Sequence, residues 1–469
     1  MGKIAKNLQE AIYRSNLKSG MTVSFHHHLR AGDHVLNMVM DAIAQQGLTN
    51  IKVNASALHA SHAPLVTHIN NHVVSEIETA YMSSEVGKSI SQGILETPVI
   101  FRTHGNRASS IISGESKIDV AFIAASICDQ DGNCSGIYGK SAFGSLSYAM
   151  ADAEHAGYKI VITDHLSQAP VEHPSIAGNK IDCIVVVDSI GDPAGILSNT
   201  TVLTKSPTRL KIAQDTVDAM DALGIIQPGM NYQAGAGGIS LAVTKYLYDI
   251  MKQRHITGGS CIGGITGYMV EMLHENNFHQ LLDAQSFDLA AVQSLRDDPH
   301  HVEISTAEYA SPDIHSAVDN LDVVILGATE IDFDFNVNVH TDSFGQIMGG
   351  SGGHTDAAAC SKLTVIVAPA LRGRIGAVKE HVTTISTPGK YIDLFISEFG
   401  IAVNPRRPEL KARLTATGLK LTEIQEQYQM AVRLTGTPHP IEPGAKTVAK
   451  VLGRDGKLLD TIRSRNTPL

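Results

Sequence analysis

The sequence has no apolar run long enough to cross a bilayer: stretches such as Val120–Ser126 and Cys183–Asp188 fall far short of the roughly 18 residues that a spanning helix needs. It also lacks any block of like charge. Lys plus Arg number 37 and Asp plus Glu 47, a formal net charge of −10, without a polybasic face or an acidic tail. Neither nucleic acid nor a membrane is an expected partner. No CxxC pair occurs among the five cysteines, Cys128, Cys134, Cys183, Cys261 and Cys360, and three of them sit in apolar or small-residue contexts, which fits a reducing cytoplasm. HExxH is missing, no glycine cluster has the full GxGxxG register of a dinucleotide site, and neither end carries a helix-turn-helix with a basic recognition helix. These absences count against a metalloprotease, a nicotinamide dehydrogenase and a metabolite-sensing regulator.

What is present is length and alternation. At 469 residues, 43% of them hydrophobic, the chain suggests roughly two to four domains. Short Val/Ile-rich runs ("MTVSFH", "IKVNAS", "PVIFRTH", "IDVAFIAAS", "YKIVITD", "IDCIVVVDS") alternate with amphipathic stretches, and "LDVVILGATEID", "KLTVIVAP" and "YIDLFISEFG" continue the pattern in the second half. Buried runs of this length between helical periods indicate an α/β fold with largely parallel sheets. The N-terminal "MGKIAKNLQEAIYRS" has helical spacing and no signal-peptide core.

The chain also repeats itself. "DVAFIAASICDQDGN" from Asp119 matches "DVVILGATEIDFDFN" from Asp322, an offset of 203 (322 − 119). The same offset carries "KIVITD" at Lys159 onto "KLTVIV" at Lys362, and "IDCIVVV" at Ile181 matches "IDLFISE" at Ile392 with the offset grown to 211 (392 − 181). Three matches in order indicate duplication, with domains expected at 1–205 and 206–469, divided where Ser206 can cap a helix and Pro207 can occupy its first turn.

In parallel sheets, ligands bind beyond the carboxyl ends of strands. Four such places hold polar or glycine-rich sequence: "FHHHLRAGD", "YQAGAGGIS", "PHHVEISTAEY" and "GGSGGHTD". Two Gly-rich turns can bring backbone amides close to one reacting carbonyl; Gly237 and Gly238 on one side, with Gly352 and Gly353 on the other, are the candidates, and Gly235 belongs to the same cluster. Consecutive residues of an extended segment point to opposite faces, so His26 and His28 share a face and His27 does not. That is poor metal spacing, and no metal is expected. Among the carboxylates, Glu303 and Glu330 are candidates, and Asn336 is a further candidate for the site, while Asp332 and Asp334 suit turn capping.

The set "GMTVSFHHHLRAGD", "YQAGAGGIS", "DAQSFD", "HVEIS", "LDVVILGATEIDFDFNVNV", "GGSGGHTD", "VAPALRGRI" and "GIAVNPRRPEL" closely resembles the citrate lyase α-subunit family over almost the whole chain. The resemblance implies two tandem CoA-transferase-type (NagB/RpiA-like) domains and an enzyme that exchanges acetyl for citryl on a thioester, giving acetate. The thioester would be borne by a phosphoribosyl-dephospho-CoA group on a small acyl-carrier γ subunit, with no cofactor held by this chain. A β subunit would then cleave the citryl thioester, and the chain would form a homo-oligomer within the larger complex. Related CoA-transferases use a glutamate in a motif matching "VEIS", which makes Glu303 the candidate nucleophile, although the citrate lyase type is thought to transfer without an enzyme thioester. Citrate's three carboxylates call for cations and hydrogen-bond donors, expected from His28, Arg30, Arg102, His104 and Arg107. A free-CoA transferase or hydrolase is the alternative with the same fold.

Overall fold

The computed structural model describes residues 2–197, 202–437 and 442–465. In the first of two open sheets, ten strands run in the order Ile4–Ala5, Cys183–Val186, Tyr158–Thr163, Val120–Ala125, Thr22–Phe25, Ile51–Ala55, Val74–Thr79, Val99–Phe101, Pro443–Leu452 and Leu458–Arg465. In the second, eight run in the order His301–Glu303, Phe278–Ser286, Gly258–Ile265, Tyr232–Ala234, Val323–Gly327, Leu363–Val367, Leu394–Ser397 and Gly400–Val403. Pairing is parallel throughout, except that the final strand in each order is antiparallel to its neighbour. Val120–Ala125 is buried at every residue, as a strand with helices on both faces of its sheet must be.

Seven strands of the first sheet recur in the same order in the second, and the register gives their equivalence. Val23 pairs with Val120, which pairs with Tyr158; Tyr232 pairs with Val323, which pairs with Leu363. The offset of 203 therefore holds for the strand at Val120, and 211 holds for Cys183 and Leu394. At Tyr158 the true offset is 205 (363 − 158) rather than 203. A slip of two leaves every side chain on its own face, so pattern matching could not detect it.

The Asp-x-Asp-x-Asn turn is duplicated bond for bond. Asp129 Oδ1 accepts from the amides of Asp131 and Asn133, both at 3.0 Å, and Gly178 N donates to Asn133 Oδ1 at 2.8 Å. Asp332 Oδ1 accepts from Asp334 and Asn336 at 3.0 and 2.8 Å, and Gly389 N donates to Asn336 Oδ1 at 2.9 Å. Asn336, a candidate for the site, is thus a turn residue.

Ser206 and Pro207 do open the helix Pro207–Ala222, though the Ser206 side chain makes no capping hydrogen bond. The range 206–469 is not one unit, however. The hairpin of residues 443–465 returns to the first sheet, where Ala449, Lys450 and Val451 pair with Val99, Ile100 and Phe101. Unpaired strand edges offer free N–H and C=O groups, and the hairpin satisfies those of Val99–Phe101. It is also tied to the second half, because Asp460 Oδ2 accepts from Ile385 N at 2.8 Å and Arg465 Nη1 donates to Gln346 Oε1 at 3.0 Å.

Replacing Asp332 by Ala strands the amides of Asp334, Asn336 and Val382. At about 1–3 kcal/mol per unsatisfied buried group, urea unfolding of Asp332→Ala is expected to show a loss of at least about 2 kcal/mol.

Candidate active site

The histidine triplet ends the first strand of the repeat. On the strand register, His26, His27 and His28 occupy the places of Gly235, Ala236 and Gly237 (offset 209, from Val23 and Tyr232). His26 and His28 do share a side, their rings stacked 5.7 Å apart, but it is the side away from the cleft. His26 Nε2 lies 3.1 Å from Asp152 Oδ2, and the His28 ring stacks on Phe143 at 5.1 Å. His27 is the residue that faces the cleft, with Nδ1 2.6 Å from Ser56 Oγ and Nε2 3.2 Å from Gln285 Oε1. The alternation was sound; the buried Asp152 and Phe143, which decide its sense, are distant in sequence.

His27 lines a cavity of about 400 Å³ that lies between the carboxyl ends of the two sheets. The first half contributes Arg30, His59, Tyr81, His104 and Tyr148; the second contributes Gln233 to Gly237, Gly263, Gly264, Gln285, Gly327 and Gly350 to His354. Four of the expected glycines, Gly235, Gly237, Gly352 and Gly353, therefore converge on one space. Gly238 does not line it: this first residue of the helix Gly238–Arg254 packs on Val202, whose carbonyl oxygen a Cβ would meet at 2.8 Å. Gly352 has φ +50°, and a Cβ on Gly353 would sit 2.5 Å from Tyr309 Oη. No side chain caps the helix Gly238–Arg254, whose N-cap is Gly237, so its first-turn amides and positive dipole end stand at the cavity.

Among the described residues, Arg30 is the only Arg, Lys, Asp or Glu that lines the space. It is 9% exposed and has φ 51°, a strained conformation for a side chain of this size. Its guanidinium lies 4.8 Å from the Phe287 ring centroid, and Nη1 donates to Ile196 O at 3.2 Å. Nε has no acceptor, and no carboxylate pairs with it among the described residues. Burial holds His27 and His59 well below the ordinary imidazole range, and it pushes His104 down to about 3 and His354 to about 4. The imidazoles are neutral donors and acceptors around one cation, an arrangement that suits an anion with further hydrogen-bonding groups.

The other expected residues lie elsewhere. Arg102 Nε and Nη2 donate to Glu78 and Glu115 at 2.9 and 2.7 Å, and Arg107 grips Asp152 with both terminal nitrogens at 3.1 Å. These buried ion pairs consume the charges that were expected to bind substrate. Glu330 accepts from Asn338 Nδ2 and Thr383 N at 3.0 and 2.8 Å, away from the cavity. Glu303, the expected nucleophile, does not line it either. Its carboxyl accepts from the Leu146 amide at the start of the helix Ser147–His155, and burial raises its pKa despite hydrogen bonds from Ser175, Leu146 and Ser145. Its position makes it a helix cap between the halves. Gln233, Ser351 and Tyr309 were missed; only their proximity to the glycine turns hinted at them. Among the described residues, no three of His, Cys, Asp and Glu converge as metal ligands, and no helix is long and apolar enough to cross a membrane.

Two parallel sheets joined across one cleft define a class. The α/β fold is shared with the 4-hydroxybutyrate CoA-transferase of Porphyromonas gingivalis (TM-score 0.57, 19% identity, over 88% of this chain and 98% of that one). Much nearer is the putative α subunit of citrate lyase from Streptococcus mutans, solved in complex with citrate (TM-score 0.97, 42% identity, 100% of this chain and 92% of that one). The citrate lyase alpha chain of Klebsiella pneumoniae is 46% identical over 462 residues, 98% of this chain and 91% of the relative. The profile of the family "Citrate lyase, alpha subunit" matches residues 1–465, and the chain belongs to that family.

The lowered histidine values set a pH dependence. An imidazole held neutral in the fold contributes stability that is fully present above its unfolded pKa of about 6.5 and is lost as pH falls toward the folded value, at up to about 1.4 kcal/mol per pH unit for each group. Urea midpoints measured from pH 7.5 to 5 are expected to fall with acid, and His104→Gln is expected to reduce that slope by about one proton.

Proposed function

We propose that the chain transfers the acyl-carrier thioester from acetate to citrate, exchanging acetyl for citryl on the carrier as the transferase component of the citrate lyase complex. Citrate presents one carboxylate to Arg30, and others to the neutral imidazoles of His59 and His104, whose Nε2 and Nδ1 have no protein partner. A free citrate carboxylate attacks the acetyl thioester carbonyl. The resulting oxyanion meets amides of the turns at Gly237 and at Gly352 and Gly353, each such donor being worth roughly 3–4 kcal/mol. Collapse expels the thiolate and leaves a citryl-acetyl mixed anhydride. The same thiolate then attacks the citryl carbonyl, acetate departs, and no proton is gained or lost overall. The cleft between the halves keeps out water, which would otherwise hydrolyse the anhydride.

The observation that carries this reading is a cavity between the halves that, among the described residues, has one unpaired guanidinium and no lining carboxylate. Among the described residues no carboxylate lines the cavity, which supports transfer directly between the bound partners. The phosphoribosyl-dephospho-CoA group is then substrate, delivered by the γ subunit, and the β subunit consumes the citryl thioester. Five free cysteines, four of them buried, support a reducing cytoplasm as the setting.

Two measurements test this. Arg30→Ala removes a charge-assisted contact of roughly 1.5–3 kcal/mol, and calorimetry is expected to show citrate affinity falling by at least about tenfold; unchanged affinity would place citrate elsewhere. Borohydride added after incubation with the acetyl carrier is expected to leave activity intact, whereas inactivation would reveal an enzyme thioester and return Glu303 to the role of nucleophile.

A further inference from the structure

The helix His104–Ile112 of the first half begins against the second half. Thr103, its N-cap, accepts from Asn106 N at 3.1 Å, but the two amides before Asn106 are answered from the second half. His104 N donates to Gly352 O and Gly105 N to Asp356 Oδ2, both at 2.9 Å. Asp356 Oδ1 also accepts from Thr103 Oγ1 at 2.7 Å. This carboxylate is buried and sits in the first turn of the helix His354–Cys360, whose N-cap is Gly353. One side chain thus joins the helix that carries His104 to the turn that carries Gly352 and Gly353, and those three residues line the cavity. The fit is close: a Cβ on Gly105 would overlap the Ala310 carbonyl oxygen, and one on Gly352 would stand 3.1 Å from His104 Nε2.

The turn of the hairpin 443–465 brings a cation to the same carboxylate. Arg454 Nε lies 3.8 Å from Asp356 Oδ1 and makes no hydrogen bond of its own, while Nη2 lies 3.8 Å from Asp319 Oδ1. Burial pushes Asp356 up to about 6, against the pull of Gly105 N, Thr103 Oγ1 and Arg454. The other titratable groups facing it do not change charge in that range. Burial holds Tyr148 and Tyr309 above the ordinary phenol value, Cys360 at about 12, and His104 and His354 neutral. Asp319 is kept ionised, in spite of burial, by hydrogen bonds from Cys360 and Ser316. Because the folded value of Asp356 lies above the unfolded one, the stability it contributes is present in acid and is lost as pH rises through about 6. Stability alone gives no reason to keep a carboxylate there.

We infer that Asp356 is a positioning residue for the exchange reaction: its ionised carboxylate latches the helix His104–Ile112 to the glycine turn and so fixes the His104 imidazole against the backbone of Gly352 and Gly353. A charged acceptor makes hydrogen bonds about twice as strong as a neutral one, and negative charge at a helix N-terminus is favoured by the dipole. Protonation weakens both and loosens the register between the halves, where a misplacement of about 1 Å can cost about a hundredfold in rate. The inference rests on the exchange reaction proposed above and adds to it a residue outside the cavity lining, which acts through His104 and the turn.

With citrate and the acetylated carrier subunit saturating, kcat of the unaltered chain is expected to fall in acid with an inflection near pH 6. Asp356→Asn keeps the shape of the side chain, and its thermal unfolding midpoint at pH 7.5 is expected to be no lower than that of the parent. Its kcat there is expected to be lower by about tenfold, with the calorimetric citrate Kd within about threefold, and its pH profile to lack the inflection. Arg454→Gln removes the facing cation and is expected to move the inflection upward by about half a pH unit, which a merely structural loss would not do and which decides the matter should Asp356→Asn fail to fold. An inflection that persists in Asp356→Asn, or one that Arg454→Gln leaves in place, belongs to another group and overturns the inference, as does full kcat in Asp356→Asn. Failure of the exchange reading itself would be visible separately, as absence of exchange in the unaltered chain. Amide hydrogen–deuterium exchange would then still test the latch: it is expected to quicken at residues 104–106 in Asp356→Asn at pH 7.5, and unchanged protection would overturn it.

Discussion

A guanidinium that is nine-tenths buried and has no carboxylate partner among the described residues sets the terms for the rest of the site. Arg30 remains charged, and a buried charge without a counter-ion is costly unless something answers it. The surroundings are arranged so that no side chain does. Among the described residues no carboxylate lines the cavity wall, the imidazoles are held neutral, and the buried Asp152 is engaged by Arg107. The Phe287 ring and the Ile196 carbonyl hold the guanidinium in place without neutralising it. The missing negative charge is then brought by the substrate.

The duplication supplies the frame on which this asymmetry is built. Two halves with the same strand order place their carboxyl ends around one cleft, and equivalent positions have diverged in opposite senses. Where the first half ends its leading strand in three histidines, the second ends it in Gly-Ala-Gly. The histidines bring side-chain chemistry; the glycines bring bare backbone. Their shared position on the sheet brings His27, Gly235 and Gly237 to one cleft.

Fold class, strand alternation and the repeat were legible because they rest on periodicity and spacing, properties that a single sequence displays. Arg30, His104, Gly235 and Gly237 were legible because they follow strands, and Gly352 and Gly353 because they form a glycine cluster, which opens the helix His354–Cys360. The failures share a cause. Arg102, Arg107, His28 and Glu303 were judged by residue type and by nearness to a strand end, whereas their roles are set by partners such as Glu78, Asp152, Phe143 and Leu146. Side-chain pairing across the sheet leaves no periodic trace. The return of the last hairpin to the first sheet was likewise invisible, because its strand pattern names no destination.

That hairpin has a consequence for the order in which the molecule is made. As the chain leaves the ribosome, the strand Val99–Phe101 emerges early, while its neighbour Pro443–Leu452 is synthesised only after the strands of the second sheet. The first half must therefore wait, with one edge open, until the second half has been translated. An open edge invites pairing with another nascent chain, and the interval during which it stays open grows with translation time. The same closure makes the two halves interdependent in the finished protein: releasing the hairpin frees an edge of the first sheet and removes the Asp460 and Arg465 ties to the second. Loss of the hairpin would therefore be felt in both halves.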